Sequence, residues 1–118
     1  MSATSHMIGY NGGLALAEEL KTNSTLTTLD LGINSIGADG VKVLSAALKN
    51  NLTLTTLDLG SNSVGDNGAQ VLSEALKFNM TLTTLGLKNN SIGDNGTQAL
   101  EQILGTARCN VIYYHSNE

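Results

Sequence analysis

Leucines set the rhythm of this chain. The segment Leu26-Thr27-Thr28-Leu29-Asp30-Leu31 returns as Leu54-Thr55-Thr56-Leu57-Asp58-Leu59 and as Leu82-Thr83-Thr84-Leu85-Gly86-Leu87, each copy 28 residues after the one before. Alternation of apolar and polar residues is the period of a half-buried strand, and threonine favours that conformation. Strands are therefore expected near 28–31, 56–59 and 84–87, with leucines inward and Thr and Asp to solvent. An asparagine follows each final leucine by three residues: Asn34, Asn62 and Asn90. An amide both donates and accepts, so these three are expected to form a ladder that satisfies buried backbone groups of adjacent turns.

The stretch after each asparagine changes period. Gly40, Leu44, Ala47 and Leu48 recur as Gly68, Leu72, Ala75 and Leu76 and as Gly96, Leu100, Ile103 and Leu104, a spacing that gathers apolar side chains on one face of a helix. Lys42, Ser45 and Lys49, or Ser73, Glu74 and Lys77, form the polar stripe opposite. Helices are expected over 39–49, 67–77 and 95–104, with Asp39, Asp66 and Asp94 at their starts and Lys49 and Lys77 at their ends, as the macrodipole favours. The glycine in each first turn reads as permitting close approach of helix to sheet.

Both ends depart from the unit. Residues 8–22 match the helical half alone, with Leu16 and Leu20 at core positions, so a helix over 11–21 is expected to open the fold with no strand before it. Residues 1–7 read as an unstructured leader or tag, leaving 8–118 as one domain. At the other end Cys109, Ile112 and Tyr114 fall in the leucine places of a closing strand near 111–114.

Strand and helix alternating at this period, with the pattern LxxLxLxxN, resemble the leucine-rich repeats of the ribonuclease-inhibitor-like class, also seen in NOD-like receptor arrays. The resemblance covers residues 8–114. It implies an α/β solenoid, a short right-handed horseshoe segment with a parallel sheet on its concave side and helices outside. It also implies protein binding through the concave sheet and rim, although no particular contact residue carries over by motif.

Composition narrows the function classes. Six Lys and Arg against ten Asp and Glu give a net charge of −4, and the cations are scattered, so neither nucleic acid nor an anionic membrane is expected as a partner. No apolar run is long enough to cross a bilayer and no signal peptide opens the chain; with a single cysteine, a cytoplasmic location is expected. Asp66-Asn67-Gly68 and Asp94-Asn95-Gly96 lack the spaced ligands of a calcium loop and read better as helix starts. His6, His115 and Cys109 make neither a metal quartet nor an oriented nucleophile, and Cys109 reads as a core residue. The IGxxG pairs lack the Lys-Ser/Thr of a phosphate loop. No catalytic, metal or cofactor site is expected. Asn23-Ser24-Thr25, Asn51-Leu52-Thr53, Asn79-Met80-Thr81 and Asn95-Gly96-Thr97 satisfy the N-glycosylation pattern but are expected to stay unmodified.

The candidate binding surface is the exposed side of the sheet: Thr28, Thr56 and Thr84 in one row, Asp30, Asp58 and Gly86 in the next, with Tyr113 intruding at the end. Asp30 and Asp58 would be like-charged neighbours, fit for a basic partner or a cation, or simply solvated. The closing strand, with Val111, Tyr113 and Tyr114, offers an edge through which a homodimer could form. A protein-interaction module is the favoured reading; a consensus-built repeat scaffold without a ligand of its own is the alternative.

Overall fold

The computed structural model describes residues 2–4, 9–22, 25–32, 35–79, 81–104 and 110–112. Five strands, β1 (Ser2–Thr4), β2 (Thr28–Asp30), β3 (Thr56–Asp58), β4 (Thr84–Gly86) and β5 (Asn110–Ile112), alternate with four helices, α1 (Gly9–Thr22), α2 (Gly37–Leu48), α3 (Gly65–Phe78) and α4 (Asp94–Leu104). The strands lie side by side in chain order and every pair is parallel. That geometry follows from a helical return between successive strands, which brings the chain back to start each strand in the same direction. The result is an open α/β solenoid, one layer of sheet and one of helices.

The core fills the space between the layers. Leu29, Leu31, Leu57, Leu59, Leu85 and Leu87 from the strand segments and Leu44, Leu48, Leu72 and Leu100 from the helices are fully buried. Burying each leucine is worth about 1.5–3 kcal/mol, so this repeated set dominates the favourable side of folding. Leu20 is buried as expected, whereas Leu16 is only partly so and packs against the core from outside, with Ala17 taking the interior place beside it.

Threonine contributes more than strand propensity. The hydroxyls of Thr53 and Thr81 donate to the carbonyls of Leu26 and Leu54 in the preceding repeat, at 2.9 and 3.0 Å, and those of Thr55 and Thr83 donate to Thr27 and Thr55. Between strand and helix the chain passes through left-handed backbone at Ser35, Ser63 and Ser91, with φ of 53°, 58° and 56°, and again at Ser61 and Asn89. Each such serine costs about 1 kcal/mol, which the stacked repeats on either side offset.

Two expectations at the ends are corrected. Ser2–Thr4, within the segment read as an unstructured leader, forms β1 and pairs with β2, so a strand does precede the first helix. An edge of parallel sheet asks only for backbone donors and acceptors, which any short extended segment supplies. At the other end the register sets Val111 beside Leu85 and Ile112 beside Gly86, one residue away from the expected match of Ile112 to a core leucine. Internal strands are offset by 28 residues and β5 from β4 by 26, and a one-residue slip exchanges the two faces of a strand. Asn23, Asn34, Cys109, Tyr113, Tyr114 and both histidines lie outside the described residues.

Candidate functional site

Because Leu29, Leu57 and Leu85 face the helices, their neighbours in each strand face the other way. Register aligns Thr28, Thr56 and Thr84 in one row and Asp30, Asp58 and Gly86 in the next, as the sequence predicts. The two aspartates do more than meet solvent. Each carboxylate accepts from the backbone N–H two residues on, Asp30 from Gly32 at 3.0 Å and Asp58 from Gly60 at 2.9 Å, and so closes the turn that leaves its strand. At Gly86 a β-carbon would lie 3.0 Å from the Asp58 carboxylate, so the interruption of the row leaves that group room. A shallow recess of about 280 Å³ opens here, lined by Asp30, Gly32, Asp58, Gly60, Lys88 and Asn89. Among the described residues no group of three His, Cys, Asp or Glu could hold a metal ion.

This face is backed by a rigid frame of amides. Asn62 is fully buried; its Nδ2 donates to the carbonyl of Leu31 at 2.7 Å and its Oδ1 accepts from the N–H of Ile36 at 3.1 Å. Asn90 repeats the pattern with Leu59 and Val64, and its Oδ1 also accepts from the N–H of Asn62 at 2.7 Å. These links join one repeat to the next along the stack.

Sequence reasoning missed a second set of amides. Asn51 donates to Leu20 at 2.9 Å and accepts from Thr53 and Leu54; Asn79 donates to Leu48 at 2.6 Å and to Asn51 at 3.2 Å and accepts from Thr81 and Leu82. Each ties the end of one helix to the segment that leads into the strand after the next helix. The signal is the 28-residue recurrence of Asn23, Asn51 and Asn79, which the sequence shows only as an Asn-x-Ser/Thr pattern expected to stay unmodified.

Asp66 has a role that its neighbours do not share. Its Oδ1 accepts from the N–H groups of Gly93, at 2.6 Å, and Gly96, at 3.1 Å, holding the first turn of α4 from the preceding repeat. The corresponding position one repeat earlier is Ala38. The first-turn glycines also act differently from expectation: a β-carbon at Gly96 would meet Asp66, Ile92 and Ala69 within 3.0 Å, so the close approach is to the neighbouring helix and to the residues leading into its own helix.

On the helical side, a recess of about 540 Å³ between α3 and α4 is lined by Gln70, Glu74, Lys77, Asn95, Gln98 and Gln102 among others. Stacked helices leave such grooves as a matter of course, and the Glu74–Lys77 pair within it is exposed and contributes little to stability. Leu52 and Phe78 are the exposed large apolar side chains among the described residues, and Lys49 lies 5.7 Å from the Phe78 ring centre. No helix among the described residues is long and apolar enough to cross a membrane.

Parallel strands, buried leucine layers and inter-repeat amides define a class of protein, the stacked-repeat solenoid. The profile described as Leucine Rich repeat matches residues 22–45, 50–73 and 78–100, more than half of the chain, and the chain belongs to that family. A search of curated proteins finds no match. Among solved structures the chain is similar to "Leiomodin-1 Actin-Binding Site 2 (ABS2)", with a TM-score of 0.87 at 23% identity over 96% of this chain and 69% of that one, a likeness of fold.

Proposed function

We propose that this chain is a protein-interaction module of the ribonuclease-inhibitor-like class that binds through the outer face of its sheet, at the end where the strands run into their turns. The observation that carries the reading is the recess beside Asp30 and Asp58, whose carboxylates are held in place by Gly32 and Gly60. Fixed acidic groups on a rigid strand array favour a partner with a basic side chain, since little ordering is needed on binding. Its length of 28 residues per repeat supports the subclass.

The test is capture from a lysate of the source organism by the immobilised chain and by an Asp30→Lys, Asp58→Lys variant matched for thermal midpoint. A protein retained by the parent and lost by the variant supports the reading; identical sets overturn it. Actin is the first purified partner to assay by co-sedimentation, because the similar leiomodin-1 structure is an actin-binding site.

Self-association through β5 is a second reading, favoured by its place at the end of the strand order. Register pairs Ile112 with Gly86 and Val111 with Leu85, so Ile112→Lys tests the edge.

A further inference from the structure

Asn51 and Asn79 each open an Asn-x-Thr sequence, the acceptor motif for an N-linked oligosaccharide, and both residues of the motif are spent on the fold. The asparagines are 3% and 6% exposed. The Asn79 Nδ2 uses both of its hydrogens, donating to Leu48 at 2.6 Å and Asn51 at 3.2 Å, and the Asn51 Nδ2 donates to Leu20 at 2.9 Å. The threonines complete the link, Thr53 and Thr81 donating to Leu26 and Leu54. The pattern that stacks these repeats is thus also the pattern that an oligosaccharyltransferase reads.

Two further motifs differ. Asn89-Asn90-Ser91 and Asn95-Gly96-Thr97 begin with exposed asparagines, Asn89 in the turn after β4 and Asn95 in the first turn of α4. A sugar on either points to solvent.

We propose that the chain carries a fold-or-glycosylate branch at Asn51 and Asn79: a molecule that accepts an oligosaccharide there cannot form its amide ladder, while glycans at Asn89 and Asn95 are compatible with the native state. In the transfer, Nδ2 displaces a lipid pyrophosphate from the anomeric carbon of the oligosaccharide linked to it. A C–N bond forms, the C–O bond to pyrophosphate breaks and one amide proton is lost, with no redox change. One hydrogen then remains on Nδ2 where Asn79 needs two, and the sugar must occupy space filled by the neighbouring repeat. The transferase acts on extended nascent chain, so burial in the finished fold gives no protection. Productive folding therefore requires synthesis out of reach of that enzyme or closure of the ladder ahead of it.

The experiment places the chain behind a secretory signal in a glycosylating eukaryotic cell and maps glycan occupancy in the trypsin-resistant and trypsin-sensitive fractions. Two variants separate the motif sets: Thr25→Val, Thr53→Val, Thr81→Val keeps the exposed motifs, and Thr25→Val, Asn89→Gly, Asn95→Gln keeps the ladder motifs. The expected result is glycan at Asn89 or Asn95 but none at Asn51 or Asn79 in resistant parent molecules. Ladder-only molecules that carry glycan should be digested, and the same variant made under tunicamycin should survive. A ladder-only chain that survives without glycan supports the same exclusion, folding having outrun transfer. Glycopeptides of Asn51 or Asn79 in the resistant fraction, at the occupancy found in the sensitive one, would overturn the proposal; the parent measurement stands even if a threonine variant fails to fold.

Discussion

Replacing Asn62 by alanine removes a side chain that serves two repeats at once. The Leu31 carbonyl loses a donor at 2.7 Å and the Ile36 N–H loses an acceptor at 3.1 Å, both in buried surroundings, while the weaker link to Gly60 at 3.2 Å is partly open to water. A stranded buried group costs about 1–3 kcal/mol, and a water entering the vacated space recovers part of it, so two such groups give a loss of about 2–4 kcal/mol. Against a total stability of about 5–15 kcal/mol for a domain of this kind, that is a large fraction. With a urea dependence of about 2 kcal/mol per molar, the midpoint should fall by about 1–2 M. Asp58→Ala is the control: the residue is exposed and gives up one bond to Gly60, so its midpoint should move by a small part of that. Asn62→Asp should be at least as damaging as alanine, because it turns a carboxylate toward two carbonyl oxygens. The assay is equilibrium urea unfolding followed by circular dichroism. If Asn62→Ala and Asp58→Ala share the parent's midpoint, the ladder is not a stabilising element and the reasoning fails.

Gly96→Ala should cost about 1–3 kcal/mol by overpacking against Asp66, Ile92 and Ala69, read as a drop in thermal midpoint; an unchanged midpoint would mean that the first turn of α4 shifts freely. Ser45 and Ser73, expected on the polar stripe, instead occupy matching buried positions, because they fall on the side of the helix that packs against its neighbour; yet the Ser73 hydroxyl donates to Ala69 at 2.8 Å and the Ser45 hydroxyl has no partner. Ser45→Ala should therefore be neutral or stabilising while Ser73→Ala loses about 0.5–1.5 kcal/mol, and the opposite order in calorimetry would refute the contrast. Light scattering at tens of micromolar tests self-association: a dimer abolished by Ile112→Lys supports pairing through β5, and a monomeric parent removes the idea.

How much was legible beforehand depends on the range of the interaction. Leu29, Leu57 and Leu85 announce their burial through spacing inside a single repeat, because strand and helix periods are local properties of the backbone. The same holds for Asn62 and Asn90, whose place after the last strand leucine marks them as turn residues with buried partners. From these, strands, helices, a solenoid and an outward row of Thr and Asp could be written down from the sequence alone. The tertiary structure decided what depends on repeats stacking. Asn51 and Asn79 bond to carbonyls 31 residues earlier, and Asp66 to N–H groups 27 and 30 residues later, separations that a local pattern does not contain. Asp30 and Asp58, read as free surface charges, proved to be turn residues once the chain path after each strand was known. The ends were least legible: β1 needs only backbone to pair with β2, and β5 is placed by a register of 26 instead of 28, which no side-chain pattern announced. Periodicity fixes which face of each element is buried, but the partner of each polar group is set by which repeat lies beside it, and that is a property of the stack.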